Sequence, residues 1–441
     1  MGLGRSGIGA IKLLMQKNEK VFAFDDNKKI VKEFENAKIF SNKVNFLKKI
    51  NVKTTKNIDY IVLSPGICLK KYQRIAEKNN IKIIGELELA FQNCCSSVLA
   101  VTGTNGKTTT VNLLFEMIKK IDGNACMVGN VGNSFCEELS KKSIGTAVCE
   151  VSSFQLENIE KFKPQMVGFL NIENDHLDRY KNFDEYFSAK KKIFTNFSTY
   201  SIAIFNFDDE KLFEFSKSLN CQKYYFSLKP LPRNMFGAFL DNENIVFRFQ
   251  DNKFSFERKN VHFLGVHNLY NVMCASIMAL LSGVKFESIC ETIKVFSLPE
   301  HRIEFVEKID GVSFYDDSKG TNIHSTQNAI SCFNQKTLLI LGGKDKGENF
   351  DNLFQNLKQS VVRIFAFGET RNKIYKSAKK YSFQNIKKVK TLKDALTQIN
   401  TKEMEENVVL FSPACSSFDQ FSSYEARGNY YKSLVERLVN G

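Results

Sequence analysis

The chain has 441 residues, and at roughly 100–200 residues per domain that length calls for two to four domains. Hydrophobic residues make up 43% and charged residues 25%, ordinary globular usage that excludes bulk disorder. Lysine and arginine number 62 against 48 acids, a net +14 that suits polyanionic partners; the lysines are scattered, with only short runs at Lys190 to Lys192 and at Lys387 and Lys388, so nucleic acid is not expected among them.

In chain order, the sequence repeats one pattern: a short apolar run, a loop of Gly, Ser, Thr or Asp, then a helix-like stretch. Apolar runs at Val21 to Phe24, Tyr60 to Leu63, Val98 to Val101, Ala147 to Cys149, Met166 to Leu170, Leu338 to Leu341, Ile364 to Phe367 and Val408 to Phe411 all end in such loops. Parallel sheets built this way bind ligands outside the carboxyl ends of their strands. The expected fold is α/β with three domains at 1–92, 93–298 and 299–441. No run approaches 18 consecutive apolar residues, so neither a membrane span nor a signal peptide is expected. The 11 cysteines form no CxxC pair and read as free thiols of a reducing cytoplasm.

The first domain opens on Gly2-Leu3-Gly4-Arg5-Ser6-Gly7, with Asp25 following 18 residues after Gly7. Taken alone this is the dinucleotide fingerprint and suggests NAD. Such a glycine loop normally follows the first strand of its sheet, yet only Met1 precedes it. The expectation is an interrupted first sheet, and a native start upstream that adds an apolar strand of about 6–12 residues.

The second domain carries the strongest motif, Gly103-Thr104-Asn105-Gly106-Lys107-Thr108-Thr109, between an apolar run and a helix. It reads as a phosphate-binding loop: backbone N–H groups cradle phosphates, Lys107 reaches the β/γ oxygens and the Thr108 hydroxyl meets Mg²⁺. The usual G-x-x-x-x-G-K-[ST] spacing would place glycine at 101, where this chain has valine. A later strand ends in Glu150, a carboxylate placed to hold Mg²⁺. The next runs into a polar segment, Asn171 to Tyr180, containing His176 as a second ligand or phosphate contact. A lone histidine in a loop is ordinarily a surface residue; the company of Glu150 and the phosphate loop favours the functional reading.

Seven segments in order, GTNGKTT, EVSSFQLE, NDHLDRY, GVHNLYN, LPEHR, DDSKGTN and SPACSSFDQF, resemble the Mur ligase family, whose phosphate loop is of the shorter GTNGKT type. The resemblance spans almost the whole chain and implies a Rossmann-like UDP-binding domain, a central P-loop ATPase domain and a C-terminal Rossmann-like domain. It implies ATP on Gly103 through Thr109, with Asn268 and Asn271 framing the adenine, Arg302 at the γ-phosphate and Asp317 at the ribose. It further implies two Mg²⁺ ions, one at Thr108 and Glu150 and one near His176 and Lys190. In this reading Lys190 is carbamylated, although by residue type alone it is one of three consecutive solvated lysines. Ser6, Asp25 and Asp26 would lie near uridine, with Ser64, Gly66 and Asn130 near its diphosphate. Lys319, Thr321, Lys346, Ser417 and Phe421 would hold the carboxylates of D-glutamate, added to UDP-N-acetylmuramoyl-L-alanine. A cytoplasmic, monomeric protein is expected.

Overall fold

The computed structural model describes the chain except for residues 37–39, 41–42, 68, 177–178, 251 and 440–441; Leu177 and Asp178 of the NDHLDRY segment therefore lie outside the described residues. Two compact units are present. The first comprises Met1–Ile172, Asp184–Asn260 and Tyr270–Val295, and the second Glu173–Phe183, Val261–Leu269 and Phe296–Gly441. The second unit's main stretch thus begins close to the expected boundary at Pro299. It also takes in two loop segments from within 93–298, which periodicity cannot assign because loops carry no apolar period.

The first unit begins with four short strands, β1 (Val21–Ala23), β2 (Val44–Phe46), β3 (Tyr60–Leu63) and β4 (Lys82–Gly85). β1 pairs in parallel with β2 and β3 with β4, as two separate two-stranded sheets. Helix Arg5–Gln16 covers the first with Ile11, and helix Lys70–Asn79 covers the second with Tyr72 and Ala76. Met1 and Gly2 bridge the two sheets. The terminal ammonium donates to Val62 O at 2.7 Å, Ser64 N–H to Met1 O at 3.0 Å, and Gly2 N–H to Phe24 O at 2.9 Å. Beside them lies a cavity of about 200 Å³ lined by Ile11, Val21, Ala23, Tyr60 and Ile61 among others. Burial lowers the Met1 amine to about 6, with the Asp25 carboxylate opposing.

A nine-stranded sheet forms the rest of this unit: β5 (Ser97–Thr102), β6 (Cys126–Gly129), β7 (Thr146–Glu150), β8 (Met166–Phe169), β9 (Ile202–Asn206), β10 (Gln222–Ser227), β11 (Gly237–Asp241), β12 (Asn244–Arg248) and β13 (Lys253–Glu257). Their order is β13-β12-β11-β10-β9-β8-β5-β7-β6. β5 through β11 run parallel, and β12 and β13 add an antiparallel ribbon. β5 is apolar without alternation because both its faces are buried. From β5 the chain goes out to β6, returns to β7, then crosses β5 to β8, which makes the β5/β8 boundary the switch point. The buried Glu88 fastens helix Glu86–Gln92 to this layer by accepting the backbone N–H groups of Glu160, Lys161 and Phe162 at 2.8–2.9 Å.

The second unit has one six-stranded sheet of β14 (Glu304–Ile309), β15 (Val312–Asp316), β16 (Thr337–Gly342), β17 (Val361–Phe367), β18 (Ile386–Lys388) and β19 (Val408–Phe411), in the order β14-β15-β19-β16-β17-β18. Only β14 is antiparallel. Apolar clusters cover both faces. Because β15, β19 and β16 are neighbours, the loops at their carboxyl ends adjoin. The cysteines among the described residues are free thiols.

The buried amine and the cavity lead to a stability prediction. An amine lowered to about 6 favours the neutral form in the folded state, so stability rises with pH between 6 and 8, by about 3 kcal/mol. Thermal unfolding of the chain with a free and with an acetylated Met1 amine is expected to differ in slope between pH 6 and 8, the acetylated form lacking the amine's contribution; identical slopes would show that the amine keeps its charge in the folded state.

Candidate active site

Residues 103–106 leave β5 at the switch point and enter helix Lys107–Ile118. Two glycines shape the turn. Gly103 (φ +149°) and Gly106 (φ +85°) adopt backbone conformations that side chains disfavour, and a Cβ on Gly106 would fall 2.3 Å from Asn271 Oδ1. Asn171, just past β8, clasps the loop: its carbonyl accepts Thr104 N–H at 3.0 Å, its side-chain oxygen accepts Asn105 N–H at 2.8 Å, and its amide donates to Asn105 O at 3.1 Å.

The Thr108 hydroxyl donates to Glu150 Oε2 at 2.7 Å, and Asn130 donates to Glu150 Oε1 at 2.8 Å. Asn130, which the family resemblance puts near a diphosphate, thus meets the carboxylate that ends β7. A hydroxyl and a carboxylate held together are the oxygen ligands that Mg²⁺ takes. Thr109 Oγ1 is buried without a hydrogen-bond partner. Lys107 Nζ curls onto Gly103 O at 2.8 Å and Thr104 O at 2.7 Å. Lys190 is 1% exposed, unlike Lys192, and sends its own Nζ to Gly103 O at 2.9 Å, 5.1 Å from the Tyr186 ring centroid. The solvated-lysine reading is thus corrected: the helix Phe183–Lys191 turns this one lysine inward.

At the glycine loop of helix Arg5–Gln16, Gly7 is required sterically, since a Cβ there would meet Gly2 O at 1.7 Å. Gly4 and Gly66 face open space. Ser6 lies in the first turn of the helix, and Ser64 Oγ donates to Gly2 O at 3.3 Å. Asp25 accepts Leu3 N–H at 2.7 Å and so braces the loop, while Asp26 pairs with Lys71 at 2.6 Å on the surface.

In the second unit, His176 has φ +56° and donates its N–H to Asp175 Oδ1 at 2.8 Å. Asp175 is buried, accepts Asn322 Nδ2 at 3.1 Å and faces Lys346 Nζ at 3.6 Å. Burial alone would raise its carboxyl, but Lys346, His176 and the Asn322 amide outweigh that and bring it to about 2. Arg302 stands between two left-handed residues, His301 (φ +63°) and Ile303 (φ +47°). Its Nε and the Nδ1 of His267 are buried without hydrogen-bond partners, and burial followed by Arg302 lowers His267 to about 3. Asn268, fully buried, caps onto Leu264 O, whereas Asn271 packs in the first unit against Thr110 and Gly106. The two asparagines thus belong to different units despite sharing one helix.

Asp317 accepts the Ser412 hydroxyl at 2.7 Å, and burial raises it to about 7 against the opposing effects of Arg302 and Ser412. Lys319 lies over the Tyr424 ring, 5.2 Å from its centroid. Thr321 is half-buried in the same loop, and Ser417 is buried at the head of a turn that accepts Phe421 N–H. Phe421 packs on Tyr430, with ring centroids 5.6 Å apart.

A phosphate loop at a parallel switch point in one unit, and cationic strand-end loops in the other, define an α/β phosphate-loop protein that handles anions. The chain belongs to the Mur ligase family. Residues 101–279 match the Mur ligase middle domain and residues 301–415 the Mur ligase glutamate ligase domain. It is 36% identical over 443 residues to UDP-N-acetylmuramoylalanine--D-glutamate ligase of Thermoanaerobacter pseudethanolicus, covering 99% of this chain and 97% of that one. It is 37% identical to the enzyme of the same name from Caldicellulosiruptor saccharolyticus, covering 99% and 98%. Among solved structures, the fold is similar to MurF from Acinetobacter baumannii (TM-score 0.63, 17% identity, 88% of this chain and 92% of that one). It is also similar to the UDP-N-acetylmuramate-alanine ligase MurC from Thermotoga maritima (TM-score 0.59, 17% identity, 100% and 98%).

The raised carboxyl of Asp317 has a measurable consequence. The folded state keeps this proton up to about pH 7 while the unfolded chain releases it near 3.9, so the second unit loses stability as pH climbs between those values. Asp317→Asn is expected to flatten that slope in a denaturant-midpoint series followed by circular dichroism. Parallel curves for variant and wild type would show that Asp317 is ionised in the folded chain.

Proposed function

We propose that this chain is the ATP-dependent ligase that adds D-glutamate to UDP-N-acetylmuramoyl-L-alanine, in cytoplasmic synthesis of peptidoglycan precursors. The observation that carries the reading is the Thr108–Glu150–Asn130 hydrogen-bonded set directly behind the glycine-bordered phosphate loop. The full-length likeness to enzymes of that name supplies the substrates.

In this reading Gly103 through Thr109 bind the phosphates of ATP, Lys107 leaves the loop carbonyls for the β/γ oxygens, and Arg302 serves the γ-phosphate. Asn268 and Asn271 serve the adenine and Asp317 the ribose. Ser6, Asp25, Asp26, Ser64, Gly66 and Asn130 serve the UDP moiety. Thr108 and Glu150 would hold one Mg²⁺, and the imidazole of His176 with a carbamate on Lys190 would hold a second. Bound Mg²⁺ supplies a Lewis acid that offsets phosphate charge. The buried unpartnered Thr109 hydroxyl and Arg302 Nε support the fit, because each awaits a partner that a nucleotide has.

The L-alanyl carboxylate oxygen attacks the γ-phosphorus, the bond to the bridging oxygen breaks, and ADP leaves an acyl phosphate. The amine of D-glutamate then attacks the carbonyl carbon, loses its proton to a base, and phosphate departs from the tetrahedral intermediate. Two anions meet in the first step, which is the reason for cations at the loop. Lys319, Thr321, Lys346 and Ser417 supply cations and hydroxyls for the two carboxylates of the incoming amino acid, and Phe421 completes that set.

Phosphate release with UDP-N-acetylmuramoyl-L-alanine, with and without D-glutamate, tests the reading directly. Lys107→Ala is expected to lower ligation by at least about 100-fold with unchanged circular dichroism; wild-type turnover in that folded variant would sink it. Lys190 is the second test. Its ammonium and that of Lys107 converge on one carbonyl, Gly103 O, so converting one to a carbamate anion replaces repulsion with attraction. Lys190→Ala is expected to lose most activity and to regain part of it with added acetate or formate. An unmodified Lys190 mass in active, metal-loaded enzyme would refute the carbamate.

A further inference from the structure

The helix Tyr424–Val439 carries a fully buried cation, Arg427, at the base of the amino-acid loops. Its Nη2 donates to Ser318 O at 2.7 Å, its Nε to Ser318 Oγ at 3.0 Å, and its Nη1 to Cys415 O at 3.0 Å. Ser318 Oγ in turn donates to Tyr424 O at 2.8 Å. One guanidinium therefore ties the loop after β15, which carries Lys319 and Thr321, to the loop after β19, which carries Ser417. The loop after β16 closes on the same fork, since a Cβ on Gly343 would meet Arg427 Nη1 at 3.1 Å and Ser416 O at 2.4 Å, and Lys344 N–H donates to Ser416 O at 2.9 Å. Lys346 lies on that loop.

All three of these hydrogen bonds end on neutral oxygens. The nearest acids, Asp419, Asp316 and Asp317, act only through space, and although burial lowers the guanidinium to about 10 it stays cationic at neutral pH. A buried cation without a bonded counter-ion is costly, and an apolar side chain of similar volume would fill the space at less cost. What the guanidinium adds is a planar fork that fixes separate carbonyls in one geometry, and a positive potential behind loops that meet a dianion.

We propose that Arg427 is a positioning residue for the amino-acid substrate, setting the loops that hold its carboxylates and adding to their positive potential. This rests on the reading of the second unit as the amino-acid site. The test is steady-state kinetics on the full chain for Arg427→Lys, Arg427→Gln and Ser318→Ala, with KM for D-glutamate, KM for ATP and kcat measured separately and thermal midpoints recorded.

The expected order of KM for D-glutamate is wild type, Ser318→Ala, Arg427→Lys, Arg427→Gln, with about a tenfold rise for Arg427→Lys and KM for ATP within about threefold. Lysine restores the charge but not the fork, so its partial rescue separates the two contributions. An unchanged KM for D-glutamate, or a uniform fall in all constants that tracks the folded fraction, would overturn the proposal. Should both Arg427 variants fail to fold, Ser318→Ala decides, since it removes one acceptor and leaves the cation. A wild-type chain that ligates a different amino acid would refute the proposed substrate while leaving Arg427 testable on the KM for that amino acid.

Discussion

The clasp between Asn171 and the phosphate loop is the interaction on which the first unit's chemistry depends. A loop that must present backbone N–H groups to a ligand cannot satisfy its groups by regular pairing, so its shape has to be imposed from outside. Here the strand across the switch point does so. β8 ends beside β5, and Asn171 meets Thr104 and Asn105 with main chain and side chain together. The arrangement requires β5 and β8 to be neighbours, so the topology of the sheet and the geometry of the site are one constraint.

The second unit solves the same problem with different groups. Asp317 and Ser412 join the loops after β15 and β19, Asp175 reaches Asn322 and Lys346, and Arg427 spans the rest. The first two contacts join side chain to side chain, and Arg427 adds bonds to backbone carbonyls. The result is a set of loops whose positions are interdependent, which suits a ligand with two carboxylates a fixed distance apart.

Much of this was legible in the sequence. Each of the eight apolar runs overlaps an observed strand, because parallel strands buried on both faces leave an uninterrupted apolar signature. The ribbon of β12 and β13 is not among them: β13, at the sheet's edge, alternates in exposure, and β12 has polar residues at both ends of its buried centre. GKT marked the phosphate loop because glycine and lysine there have no substitute. The clasping residues were harder to see. Asn171, Asp175 and Asn322 are polar residues in polar loops, and nothing local distinguishes a buried one from a solvated one. Arg427 did leave a trace, since it shares a helical stripe with Tyr431, Leu434 and Val435, positions at which a charge must be buried. Phe421 and Tyr424 show the opposite difficulty, for both are aromatic and only packing tells which ring meets Lys319.

The carboxylate of Glu88 has a consequence for dynamics. It accepts the backbone N–H groups of Glu160, Lys161 and Phe162 together, so a single displacement of one side chain opens three successive amides to solvent. Their hydrogen exchange is therefore set by one opening event rather than by three. The attachment of helix Glu86–Gln92 to the nine-stranded sheet is thus readable as one shared exchange rate in a segment that has no regular ladder of its own.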